Sequence, residues 1–158
     1  MTKTKKPTKK PGPRALARLM AVQALYLLHM NKDATTASVL QDFHKMSQKD
    51  MEEMEGVPLI TQVDAEFLSD LVTGVSKSES AIKEALEGVL TGSWSLGRLE
   101  VILRAILQAG VYELMFRPDV PRPVIINEYI DITHSYYEGK EPGFVNGILD
   151  ELAKTLRA

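Results

Sequence analysis

A chain of 158 residues fits a single domain at about 150 residues each and can bury roughly 70% of its extended surface. It contains no cysteine, which excludes disulfides, thiolate metal sites and a thiol nucleophile. The net charge of −2 conceals a division: residues 1–18 hold seven Lys or Arg and no acid, whereas the rest sets twelve Lys or Arg against twenty-one Asp or Glu. That asymmetry implies a basic arm for a polyanion joined to an acidic body, with a solvated tail that aids solubility as the plainer alternative. No apolar run approaches the ~18 residues of a bilayer crossing, and the basic N-terminus lacks the apolar core and cleavage site of a secretory signal. A soluble, cytoplasmic chain is expected.

Residues 1–13 scatter Pro7, Pro11, Gly12 and Pro13 among lysines that include Lys9 and Lys10, a composition that predicts a flexible arm. Helical spacing begins at Arg14, with Leu16, Leu19, Met20, Gln23, Ala24 and Leu27, so Arg14 and Arg18 fall one turn apart on one helix. Arginine offers phosphate a planar fork, or stacks on a base, and two together suit a nucleic-acid backbone. The alternative is that both are solvated beside a helix start, the end of the dipole that disfavours cations. Thr35 and Thr36 are placed to cap a second helix carrying Val39, Leu40, Phe43 and Met46, and Asp50–Pro58 reads as a loop. Its methionines read as gap-fillers. Phe67, Leu68, Leu71, Val72 and Val75 define a third helix, and Ile82, Leu86, Val89 and Leu90 a fourth; Gly92–Gly97, with Trp94, follows as a link.

The densest patterning lies between Arg98 and Asp150. Leu99, Ile102, Leu103, Ile106, Leu107, Val111 and Leu114 predict a helix from about Arg98 to Phe116, stopped by Pro118. The next starts near Pro121–Pro123, carries Ile126, Tyr129, Ile130 and Thr133 on one side, and is closed by Gly139. After a polar turn from Glu138 to Gly143, Val145, Ile148, Leu149, Leu152 and Leu156 make the last stripe. No run alternates with period two, so the expected fold is an all-α bundle of about seven helices. Residues 14–158 are expected to form one domain, in which one or two subdomains are possible.

Catalytic and metal chemistry finds little support. His29, His44 and His134 are isolated, no pair has an i, i+4 ligand spacing, and no Gly-rich phosphate loop or nucleophile elbow is present, so neither cofactor nor metal is expected. Glu113 and Glu128 read as carboxylates answered by nearby arginines or lysines rather than as an acid–base pair. Asn127 with Glu128, and Asn146 with Gly147, lie beside apolar stripes. They are expected to tie helix ends and loops together, because a buried amide left unpaired costs roughly 1–3 kcal/mol.

The runs Val111–Leu114, Val120–Glu128 and Phe144–Asp150, with Ala21–Tyr26, Trp94, Leu96 and Arg98 upstream, resemble the NusB family of bacterial transcription antitermination factors over nearly the whole chain. The resemblance implies a two-subdomain helical bundle, divided near residue 90, that binds single-stranded boxA RNA of ribosomal RNA transcripts together with the ribosomal protein NusE, helps RNA polymerase resist termination, and forms homodimers in some free members. It implies no enzymatic activity. RNA would be met by Lys9, Lys10, Arg14, Arg18 and Tyr26, and by the loop holding Lys140 and Phe144, the aromatics supplying the stacking that single-stranded RNA requires. Arg98, Glu100 and Arg104 would meet NusE, although Leu103 and Gln108 stand where the family usually has an acid and an arginine. Two other readings remain: an interaction or structural module without RNA specificity, and a module assisting ribosomal RNA modification. A related domain begins some ribosomal RNA methyltransferases, whose chemistry needs a cysteine nucleophile that this chain lacks.

Overall fold

In a computed structural model of the chain, residues 12–53, 63–91 and 95–157 are described, and side chains are not described for 46–53. Seven α-helices and one 3-10 turn make up the described secondary structure: α1 Pro13–Met30, α2 Thr36–Glu53, α3 Ala65–Lys77, α4 Glu79–Val89, the turn Leu96–Arg98, α5 Val101–Phe116, α6 Arg122–Tyr136 and α7 Glu141–Leu156. The all-α expectation holds. The arm residues 1–11 and Trp94 lie outside the described residues. No described helix is long and apolar enough to cross a membrane.

Local chemistry accounts for the helix starts. Pro13, Pro123 and Pro142 occupy the first turns of α1, α6 and α7, where a missing N–H costs nothing and φ is already helical. The Asp64 carboxylate accepts from the Phe67 amide to cap α3, and the Thr35 hydroxyl accepts from the Ser38 amide ahead of α2.

Helix α5 organises the packing. Ten of its sixteen residues are buried, and it contacts α1, α3, α4, α6 and α7. Its surroundings are the stripes expected from periodicity: Phe67, Leu68, Leu71, Val72 and Val75 of α3, Ile82 and Leu86 of α4, and Val145, Ile148, Leu149 and Leu152 of α7. One continuous hydrophobic cluster runs through all of them.

Several boundaries and faces differ from the sequence reading. The buried face of α1 is Ala17, Arg18, Ala21, Val22, Ala24 and Leu25, whereas Gln23 and Leu27 of the expected stripe are exposed. Helix α5 starts at Val101 rather than Arg98, because Leu99 and Glu100 are extended after the 3-10 turn; Leu99 is still buried, from the turn. Helix α2 continues to Glu53, so the first part of the expected Asp50–Pro58 loop is helical, as its Glu and Met residues allow; residues 54–62 are outside the described set. Helix α6 ends at Tyr136, before Gly139, because Tyr137 turns extended and donates its hydroxyl to Glu100, and α7 begins at Glu141 inside the expected turn. The buried face of α6 is Ile125, Tyr129, Ile132 and Thr133, with Ile126 and Ile130 half-buried at its edge.

The amides also differ from expectation. Asn127, Asn146 and Gly147 are exposed at the surface and Glu128 is half-buried, so the two asparagines and the glycine are not embedded polar ties.

Two close approaches define the remaining geometry. The guanidinium of Arg157, just after α7, donates to the carbonyls of Glu113, Leu114, Arg117 and Val120, satisfying the open C-terminal end of α5. At Gly74 of α3, an added Cβ would collide with the Tyr112 ring, which is held by a 2.7 Å hydrogen bond to Asp70. Gly74→Ala is therefore expected to cost about 1–3 kcal/mol through overpacking, seen as a lower thermal midpoint. In a double-mutant cycle with Tyr112→Leu, the two losses should be non-additive by at least about 0.5 kcal/mol; simple additivity would refute the contact.

Candidate nucleic-acid interface

Arg14 and Arg18 share one helix and meet opposite fates. Arg18 is 3% exposed. Its Nε donates to Glu113 Oε2 at 2.7 Å and its Nη2 to Glu113 Oε1 at 3.0 Å, the two-pronged geometry that suits a carboxylate. Glu113, completely buried in the apolar surface of α5, also accepts from the hydroxyl of Tyr129, itself completely buried on α6. Glu128 of α6 stands 3.5 Å from Arg18 Nη1. One ion pair thus clasps α1, α5 and α6, and Arg18 does not point outward to phosphate as its place in the sequence suggested.

The electrostatics follow from burial. Desolvation pulls the Arg18 guanidinium down, but its hydrogen bonds and charge interaction with Glu113 outweigh this and leave its pKa raised. Tyr129 is raised well above the usual phenol range by burial and then by the Glu113 charge. Burial also raises Glu128, with Arg18 opposing.

Arg14 lies outside this clasp. It is half-exposed, with loose ion pairs of 3.6 Å to Asp64 and 3.7 Å to Asp119. Its guanidinium carbon sits 4.5 Å from the centroid of Phe67, over which Arg18 and Arg117 also lie, at 5.0 and 4.9 Å. Arg117 in turn pairs with Asp70 and Asp119, each at 3.0 Å, which raises Arg117 and lowers Asp119. Exposed pairs as long as those of Arg14 are worth about 0–1 kcal/mol, so a phosphate can compete for that guanidinium.

The remaining predicted residues gather at the other end of the bundle. Arg18 meeting Glu113 and His29 meeting Arg104 make α1 and α5 antiparallel, and bonds from Gln23 to Tyr136 and from Tyr137 to Glu100 bring the C-terminal end of α6 to the same place. Tyr26 is half-buried there, Lys140 stands exposed at the N-cap position of α7 without a side-chain capping bond, and Phe144 packs half-buried against the core. Arg14 and Tyr26 are twelve residues apart, or about 18 Å along a helix. Lys9 and Lys10 lie outside the described residues. Of the expected partner residues, Arg98 is exposed in the 3-10 turn, Glu100 is exposed at the N-cap of α5, and Arg104 is half-buried with its guanidinium 2.7–2.8 Å from the ring nitrogens of His29. Glu100 therefore does not precede Leu103 on a shared helical face, and Leu103 is buried.

Phe67 was read only as part of the apolar stripe of α3, and Arg117 and Arg157 were not singled out from the sequence. A lone acid in an otherwise apolar stripe, Glu113, and an arginine in another, Arg18, were the readable signal of a pair. No group of His, Asp or Glu arranged to hold a metal ion occurs among the described residues.

Comparison with known proteins agrees with this architecture. The NusB family model matches residues 15–154. The chain belongs to the NusB family. It is 42% identical over 147 residues to the transcription antitermination protein NusB of Caulobacter vibrioides, covering 92% of this chain and 95% of that one. To the NusB of Bradyrhizobium sp. (strain BTAi1) it is 41% identical over 152 residues, covering 95% and 86%. T. maritima NusB superposes with a TM-score of 0.71 at 30% identity, over 93% of each chain. A crystal structure of NusB and NusE in complex with dsRNA shares the fold, with a TM-score of 0.69 at 21% identity over 89% of this chain and 96% of that one.

Two outcomes follow from the clasp. Arg18→Met should lose about 3–5 kcal/mol in urea denaturation, because it strands a buried carboxylate, and Arg18→Met with Glu113→Leu should recover most of that loss; no recovery would refute the pairing. In alkali, Tyr112 is pushed up to about 12, by burial and then by its bond to Asp70, and Tyr129 is raised well above the ordinary phenol value by burial and then by the Glu113 charge. Well below pH 10.0 both phenols stay protonated in the folded and the unfolded chain alike; as pH rises through 10.0 the unfolded chain releases protons the folded one keeps, so stability falls as pH rises. In the tyrosinate absorbance titration, Tyr112→Phe should remove a component at about 12, and Tyr129→Phe one that appears only as the chain unfolds.

Proposed function

We propose that this chain is a non-enzymatic, RNA-binding transcription antitermination factor that takes boxA-type single-stranded RNA together with NusE. The observation that carries this reading is the likeness to the Caulobacter vibrioides antitermination protein across 92% of the chain. A crystal structure that holds NusB, NusE and RNA together supports the choice of partners. Cytoplasmic location, assembly with an RNA polymerase complex, a homodimer in the free state and the division into two subdomains belong to the same proposal.

The residues divide the work by their chemistry. Lys9, Lys10 and Arg14 supply positive charge where the chain enters α1, and lysines there follow a phosphate backbone without reading sequence. Tyr26 and Phe144 supply ring faces and Lys140 a charge at the opposite end, suited to unstacked bases. Arg98, Glu100 and Arg104 offer mixed charge beside that end to NusE. One observation favours the second reading, a protein-binding module without RNA specificity: Arg18 is consumed internally and Arg14 has two carboxylates within 4 Å.

A titration of boxA-type RNA against the chain, with and without NusE, separates the readings. Affinity should rise when NusE is present, and should fall as salt rises. Lys9→Gln with Lys10→Gln should flatten the plot of log affinity against log salt by up to about 1.4, at roughly 0.7 for each single-strand phosphate that a lysine no longer neutralises. An unchanged slope removes the two lysines from the interface, and NusE binding with no gain in RNA affinity selects the second reading.

A further inference from the structure

A groove of about 420 Å³ lies between α3 and the C-terminal half of α5. Its floor is the Tyr112–Phe116 pair, with ring centroids 5.2 Å apart and Phe116 45% exposed; one wall carries Glu66 and Asp70, and Lys77 closes the far end. The absent side chain of Gly74 lets the Tyr112 ring lie against α3 and keeps the floor open. Asp70 already holds Tyr112 and Arg117. Glu66 is exposed and makes no ion pair among the described residues.

A large exposed aromatic in a groove with an unspent carboxylate calls for an occupant with apolar rings or stems and positive charge. The chain has such a segment. Residues 1–11 contain Lys3, Lys5, Lys6, Lys9 and Lys10 with Pro7 and Pro11 and no acid. They join the fold at Gly12, and the carbonyl of Pro13 accepts from the amide of Asp64, the cap of α3, so the segment enters beside the helix that forms the groove wall. Glu66 is only two residues past that cap. Eleven residues span at most about 36–40 Å when extended, more than the roughly 17 Å from Glu66 to Lys77 along a helix. Proline-containing segments need little ordering to dock on aromatic grooves, and a flanking carboxylate selects those that carry lysine.

We infer that this groove receives the chain's own lysine–proline leader, residues 1–11, when RNA is absent, withholding its lysines until a transcript competes for them. The docking stands on the groove alone, and the competition rests on the RNA-binding function proposed above. Because the leader then has two alternative sites, apparent RNA affinity is reduced by the fraction of chains with a free leader; with about nine in ten docked, release improves it about tenfold.

The chain has no cysteine, so a nitroxide on Thr4→Cys is unique. In the full-length protein without RNA, it should broaden the amides of Ser69, Thr73 and Lys77 and leave those of Glu151 and Lys154 on α7 sharp. Phe116→Ala and, separately, Glu66→Lys should each abolish that broadening while circular dichroism shows the helical bundle still folded, with at most a modest fall in thermal midpoint from the lost Tyr112 contact or the lost first-turn acid. Broadening that is absent, lies elsewhere, persists in both variants, or arises between nitroxide-bearing and isotope-enriched copies mixed in trans overturns the docking. Adding boxA-type RNA should sharpen the groove amides, and Phe116→Ala should tighten RNA binding. Groove broadening unmoved by RNA that the chain does bind overturns the competition alone; a chain that binds no RNA defeats the proposed function while the docking result stands.

Discussion

The pairing of Arg18 with Glu113 settles which way α5 faces. Helix α5 is apolar around nearly its whole circumference, so hydrophobic burial alone discriminates weakly between its possible rotations within the bundle. A buried carboxylate removes that freedom, because every rotation except the one that brings it to Arg18 and the Tyr129 hydroxyl leaves a charge unpaired in the core. Replacing such a pair with apolar residues often costs little, so its contribution lies less in net stability than in choosing one arrangement. Here the arrangement chosen is the register of α1 against α5 and of both against α6.

Once that register is set, the charged end of the bundle follows. Phe67 of α3 lies under the guanidinium groups of Arg14, Arg18 and Arg117, one from the surface of α1, one from the clasp and one from the end of α5. Arg157 fills the C-terminal carbonyls of α5 from the far side, so the segment carrying Arg117 and Asp119 is held by both its own helix and the last residues after α7. The first and last helices therefore converge on the same end of α5, and the polar surface there rests on backbone held by hydrogen bonds.

Much of this fold was legible because helical periodicity is a local property. The stripes of α3, α4 and α7 appear in the core as the spacing predicts. The misses have non-local causes: Pro118 and Gly139 are visible punctuation, but the extended Leu99, Glu100 and Tyr137 depend on where their side chains find burial or a partner across the bundle. The candidate site was less legible. Arg14 and Arg18 look equivalent as sequence, one turn apart, and only the position of Glu113, 95 residues away, makes one internal and the other external. Asn127 and Asn146 failed in the opposite sense, since their apolar neighbours suggested burial while they stand at the surface.

Folding also redistributes the charge that the sequence concentrates at its start. Arg18 is neutralised within the core and Arg14 is flanked by Asp64 and Asp119, so the positive excess left for a polyanion resides chiefly in the five lysines of residues 1–11. Ammonium groups on flexible stems confer affinity that depends on salt and is indifferent to base identity. On the proposed function, discrimination between sequences must then come from groups able to stack or hydrogen-bond, and the aromatic candidates Tyr26 and Phe144 lie toward the other end of α1. On that proposal, a transcript that meets both Arg14 and Tyr26 spans about 18 Å of α1, the helix whose orientation the buried ion pair fixes.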